Sequence, residues 1–199
     1  MENIGSIEKN YGKKEMVVNI IWGNIIWLII IIFTLIIFGI PYFITWRENL
    51  FGIDNKLIMN SRDKFFFLLF LLLGIILHEL IHIIFFVIFS KNKFKSIKFG
   101  ILPGINLLTP YRHYYHCKEI LSIKQYRIAV IMPLLLLGII PTVVSIFIGC
   151  NLLFLCGTIL IIWVGSSDIL IYIKTFKEKK SSLILDHPSE VGYYVYELK

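Results

Sequence analysis

The chain has 199 residues, 57% of them hydrophobic, with a mean hydropathy of +0.79 and a formal net charge of +7. Its length predicts a single integral domain over 1–199, with little room for a separate soluble module. The apolar excess falls in long uninterrupted stretches, not short periodic stripes, which excludes an ordinary water-soluble globule and predicts an all-α polytopic membrane protein.

In chain order, four stretches read as membrane-spanning helices, at about 18–40, 65–90, 127–149 and 152–173. A helix rising about 1.5 Å per residue needs roughly 20 apolar residues to cross a hydrocarbon core. Lys9, Lys13 and Lys14 precede the first, but its apolar run is too long for a cleavable signal peptide and no small-residue cleavage site follows. It closes at Pro41, with Tyr42, Phe43 and Trp46 as interfacial aromatics. Asn24 within it reads as an interhelical hydrogen-bonding residue. The third span holds Pro133 and Pro141, each lacking a backbone donor and so expected to bend it. Cys150 and Asn151 leave only a tight turn before the fourth, which makes the last two helices antiparallel neighbours.

Between the second and third spans, 94–112 (FKSIKFGILPGINLLTPYR) is apolar but too broken to cross a bilayer. Pro103-Gly104 is a turn signal. The runs 95–102 and 105–109 on either side predict a short interfacial or re-entrant β-hairpin at about 95–109, an irregular amphipathic loop being the alternative. The polar-aromatic YRHYYHCKEI that follows suits the headgroup region. Cys117, Cys150 and Cys156 form no CxxC pair and no disulfide framework. Cys156 is expected to pack within its span, and Cys117 to be a reduced thiol in the loop.

Of the 20 Lys and Arg residues, 16 lie in 1–17, 91–127 and 174–199. This asymmetry puts both termini, the 91–127 loop and the tail 174–199 in the cytoplasm. Basic residues that flank membrane spans have anionic lipid as their nearest partner, so the positive charge predicts a bilayer and no nucleic acid. The composition specifies no oligomeric state.

The second span, FFFLLFLLLGIILHELIHIIFFVIFSK from Phe65 to Lys91, carries His78, Glu79 and His82 at its middle. Each charge there costs about 2.5–3.5 kcal/mol or more, so something must offset it. The triplet spells HELIH, an instance of HExxH, which composition alone places in roughly one chain in a hundred of this length. Positions four apart share a helix face, so both imidazoles can bind one Zn2+, with Glu79 beside the first as general base and then general acid. The competing reading is two buried histidines hydrogen-bonded across helices with Glu79 neutralised, yet the span's interior holds no basic residue to pair with it.

Zinc needs a third protein ligand. Asp168, in WVGSSDILIY, is the one charged ligand type in the other three spans. His82 lies nine residues before Lys91 and Asp168 six before Lys174, or about 13 Å and about 9 Å of helix. Charge counts set the orientation and ligand chemistry picked the residues, so their similar depth is an independent agreement. Asp168 is the expected third ligand, with Ser166 and Ser167 as supporting groups or as small residues that permit close helix packing. His113, His116 and Cys117 in the loop, and Asp186, His187 and Glu190 in the tail, are weaker candidates and are expected to stay outside the metal set.

HELIH, ILPGINLL and Asp168 occur in the order found in intramembrane zinc metalloproteases of the site-2 protease type, which the chain resembles. That resemblance implies HExxH in one membrane helix, an aspartate ligand in a later one and a membrane-associated hairpin between them. Ile169 follows Asp168 where those enzymes usually have an Asp-Gly turn. HELIH, YHCKEILSIKQYRIAVIMP, GSSDIL and DHPSEVGYYV also resemble a family of small bacterial membrane proteins described as putative zincin peptidases. That family is of unknown function, and the resemblance implies a multi-pass bacterial cell-membrane fold more than a substrate; the leading expectation, from HELIH and the charge asymmetry, is zinc-dependent hydrolysis of a peptide bond of a membrane-protein or peptide substrate near the cytoplasmic side. A non-hydrolytic metal-binding protein for transport or sensing, and a structural scaffold, are the alternatives; neither requires a glutamate next to the first histidine.

Overall fold

The computed structural model describes residues 11–51, 61–106, 109–149 and 152–198. The expected turn at Cys150-Asn151 and the basic leader around Lys9 lie outside them. The chain is mostly helical with a small antiparallel sheet, so the expectation of an all-α fold is corrected by strands at both ends of the chain. Among the described residues, three helices are long and apolar enough to cross a membrane, Ile21–Arg47, Ser61–Phe89 and Ile123–Ile148, and a fourth candidate is a bent pair.

The chain divides into two compact units. One comprises residues up to Ile25, Ile81–Met132 and Ser167–Lys199. Its sheet has the order β1-β6-β5-β4, formed by β1 (Tyr11–Val17), β4 (Leu121–Ser122), β5 (Leu183–Asp186) and β6 (Gly192–Leu198). All its pairings are antiparallel, with Tyr11 opposite Leu198 and Val17 opposite Gly192. Leu183–Asp186 and Gly192–Leu198, expected to belong to a tail, are therefore two of the sheet's strands. Alternation along β6 turns Tyr193 and Val195 inward to join Ile184, Leu121, Ile123, Tyr126 and Ala129 in the core. Gly192 is required where it stands, because a Cβ there would run into the backbone carbonyl of Met16 on the paired strand.

A second, two-stranded sheet is the hairpin of β2 (Ile97–Asn106) and β3 (Thr109–Cys117). It is longer than the expected 95–109 and turns later. Pro103-Gly104 lies within β2, Pro103 pairs with Tyr111, and the register shifts between Pro103 and Asn106. Such an irregularity lets a residue without an N–H sit in a strand, which the Pro-Gly turn rule does not anticipate. YRHYYHC accordingly belongs to β3.

The hairpin is entered through a turn at Lys93–Ser96, held by one carboxylate. Glu119 accepts from the Lys91 and Asn92 backbone N–H groups at 2.7 and 3.0 Å, from the Ser96 hydroxyl at 2.7 Å, and from the Asn92 side chain. This clamp accommodates Lys93 in the left-handed region at φ 53°, unusual for a residue with a Cβ. Burial alone would raise the Glu119 pKa, but the bonds from Ser96, Asn92 and Lys91 outweigh it and hold the carboxyl below its ordinary value of 4.5. A depressed folded-state pKa contributes stability that is present above the unfolded value and lost as the pH falls through the folded one. Amides of Lys91 and Asn92 are therefore expected to lose hydrogen-exchange protection below about pH 4.5, and in Glu119→Gln to be weakly protected at every pH. Unchanged protection across that range would contradict the clamp.

The other unit comprises Ile26–Leu80 and Pro133–Ser166. It contains most of α1 (Ile20–Thr34), α2 (Ile40–Phe51), the N-terminal part of α3 (Ser61–Phe89), α5 (Ile140–Ile148) and α6 (Leu152–Val164). Small residues let its helices approach. A Cβ on Gly74 would lie 2.7 Å from Ile161, and one on Gly138 2.6 Å from Ile162. Polar tips are paired: Thr142 donates to Thr158 at 2.8 Å, Trp163 Nε1 to Thr34 at 2.7 Å, and Trp46 Nε1 to the Ile146 carbonyl at 2.8 Å. Cys156, expected to pack, is exposed.

Two prolines expected to end or bend spans are absorbed without ending them. The first span continues to Arg47. A π turn, Leu35–Gly39, lies ahead of Pro41, and another, Leu134–Ile139, lies ahead of Pro141. In each, the residue before the proline donates five back, Ile40 to Leu35 and Ile140 to Leu135. Opening the ladder by one residue makes room for a ring that would clash with the carbonyl four residues back. The expected fourth span is instead broken: α6 ends at Val164, α7 (Ser166–Thr175) begins after Gly165, and the two are bent by 49°.

Candidate metal centre

His78 and His82 stand on successive turns of α3, which runs unbroken through Leu80 and Ile81. Both are buried, at 1% and 2% exposure, in a helix whose lipid-type residues are largely exposed. From α7 comes Asp168, an acidic residue in that helix's first turn, where the N-terminal dipole favours a carboxylate. One ligand atom from each of His78, His82 and Asp168 lies within 4.8 Å of the others. Glu79, next in the chain to His78, is half-buried.

The His82 ring is fixed at both nitrogens. Nδ1 lies 2.8 Å from the Ala129 carbonyl of α4 (Ile123–Pro133). A carbonyl only accepts, so Nδ1 carries the proton and donates it. Nε2 then faces Asp168 Oδ2 at 3.2 Å, two atoms that both act as acceptors unless a proton or metal ion lies between them. Zn–N and Zn–O bonds of 2.0–2.2 Å at a tetrahedral angle put neighbouring ligand atoms about 3.4 Å apart. The observed spacing is close to that edge. Two imidazoles and a carboxylate are also the donor chemistry zinc takes in catalytic sites with one position left open. The residues present therefore fit the ion.

The weaker candidates have other employment. His116 Nδ1 lies 3.7 Å from Asp186 Oδ2. Asp186 also accepts from the Tyr126 hydroxyl at 3.1 Å and the Cys117 N–H at 3.3 Å, which ties β5 to α4 and β3. Cys117 is fully buried, with Ser90 Oγ 3.5 Å from its sulfur, and burial pushes its thiol pKa up, the opposite of a reactive cysteine. His187 accepts at Nδ1 from the Ser189 and Glu190 backbone N–H groups and donates from Nε2 to Glu15 at 2.8 Å, so it joins the tail's turn to β1. His113 lies opposite Ile101 in the hairpin. Asn24 is exposed.

Sequence reasoning missed Ala129 as a site residue. Its carbonyl is a backbone group and gives no side-chain signal, although the Pro133 four positions on does.

Apolar helices of membrane-spanning length, and two buried histidines clustered with a half-buried aspartate, make this a membrane-type helical protein with a candidate metal centre. The chain belongs to the family described as putative zincin peptidase, whose model matches residues 71–183. The matched region takes in HELIH, the hairpin and Asp168, and the zincin name implies zinc as the cofactor. No curated protein and no solved structure matches the chain.

Proposed function

We propose that this protein is an intramembrane zinc metallopeptidase of the site-2 protease type, which cleaves a peptide bond of a membrane-associated protein near the cytoplasmic side. The observation that carries this reading is the His82–Asp168 approach at 3.2 Å, with the other His82 nitrogen already committed to a carbonyl. His78, His82 and Asp168 would hold the ion. Zinc, when bound, would supply Lewis-acid polarisation of the scissile carbonyl and acidify a water. Glu79 takes that water's proton during attack and returns it to the leaving amine.

The substrate segment must be extended, since a helical carbonyl is engaged and shielded. The β2–β3 hairpin, which pairs with no third strand among the described residues, offers strand edges to such a segment by main-chain hydrogen bonding. The excess of Lys and Arg in 1–17, 91–127 and 174–199, 16 of the 20 in the chain, supports four crossings of a cell membrane with both termini cytoplasmic. It also supports a hairpin at the cytoplasmic interface of one integral domain.

Metal analysis of the purified chain is expected to give close to one zinc per molecule, and His78→Ala to bring it near zero. A zinc-free parent that stays folded would sink the metal reading and favour a scaffold whose HELIH is structural.

A further inference from the structure

In an α-helix, the Ala129 carbonyl is the acceptor for the N–H of residue 133. That residue is proline and has no N–H. Pro133 keeps helical geometry, at φ −59° and ψ −43°, so the helix continues past it with this acceptor unserved from within. Ala129 is fully buried, where an unserved carbonyl is unfavourable and water is not at hand. His82 Nδ1–H serves it at 2.8 Å.

Position sets Pro133 apart from the other two helix prolines. Pro41 and Pro141 each follow a π turn that opens the ladder before the ring arrives. Pro133 stands ahead of its π turn, at the end of a regular α segment. Its effect is felt upstream, at Ala129.

We propose that Pro133 is a positioning residue for the metal centre: by withholding an N–H it reserves the Ala129 carbonyl for His82. That bond fixes the imidazole as the Nδ1–H tautomer and turns the Nε2 lone pair toward Asp168. Metal-binding histidines commonly donate their second ring N–H to such a partner, which sets ring orientation and raises ligand basicity. The inference rests on the reading of His82 as a ligand. It adds that a residue with no polar side chain prepares that ligand.

Pro133→Ala restores a helical N–H that competes for Ala129, in a residue that favours the helix. The test uses the full chain in detergent with 15N-labelled histidine. In the parent, the His82 Nδ1–H is expected to exchange slowly with solvent; in Pro133→Ala it should exchange at least about tenfold faster, with zinc affinity weakened about 10- to 100-fold. Pro141→Ala, which restores an N–H eight residues further along the same rod, is the control and should leave both quantities unchanged. A fast-exchanging Nδ1–H in the parent overturns the proposal without any variant. So do parental exchange and affinity in Pro133→Ala, or an equal loss in Pro141→Ala. Proton exchange needs no metal, so a parent that binds no zinc but protects His82 Nδ1–H overturns the metal reading separately from the hydrogen bond.

Discussion

Glu79→Gln is expected to retain one zinc per chain and to slow peptide cleavage on the order of 10²- to 10⁴-fold, the range a positioned general base contributes. The two properties separate because the ligand set is filled by His78, His82 and Asp168. Glutamine keeps the size of the side chain and its ability to hydrogen-bond, so the half-buried helix position is not disturbed. What it loses is the capacity to accept a proton from water and hand it on. Purified parent and variant are compared by metal content and by cleavage of a membrane-reconstituted protein substrate. Equal cleavage by both would falsify the hydrolytic mechanism. Zinc retained by both, with no cleavage by the parent and with zinc uptake into vesicles, would favour the transport reading.

The candidate site residues stand out in this sequence more plainly than the architecture does, for a physical reason. HELIH stands out because lipid-type sequence tolerates so few ionisable groups, and the same scarcity isolates Asp168 in WVGSSDILIY. Hydropathy located the apolar rods, but it is blind to how a rod carries its backbone. Pro41 and Pro141 look like stops, yet a π turn ahead of each lets the helix run on. The stretch 152–173 reads as one continuous span, yet the helix breaks at Gly165. The terminal sheet was hidden because YGKKEMV reads as a polar leader and β5 and β4 are only four and two residues long. Strands that short gain their pairing from neighbours distant in sequence, Tyr11 with Leu198 and Leu121 with Ile184. The hairpin was visible as apolar but broken sequence. Pro103-Gly104 reads as its turn, but a strand irregularity between Pro103 and Asn106 absorbs the pair within β2.

Asp168→Ala is expected to abolish stoichiometric zinc, with affinity falling by more than the 10- to 100-fold typical of residues that only support a ligand. The break at Gly165 gives this carboxylate its position. A straight fourth span would carry Asp168 as an interior helix residue; the 49° bend instead starts a new helix just before it. The carboxylate then lies in a helix's first turn, where the helix dipole favours it, while Oδ2 reaches to 3.2 Å from His82. A purely structural aspartate in this place would be a helix–helix hydrogen-bond partner, and its loss would lower stability by about 1 kcal/mol without touching metal content. Asp168→Glu sharpens the distinction. The added methylene keeps charge and hydrogen-bonding capacity, so a structural role tolerates it, whereas a ligand separation set by bonds of 2.0–2.2 Å does not. Zinc affinity is expected to fall in the order parent, Asp168→Glu, Asp168→Ala, measured by competition with a chelator beside thermal unfolding of each zinc-free variant. Full zinc occupancy in Asp168→Ala would remove this residue from the ligand set and leave His78 and His82 in need of a different partner.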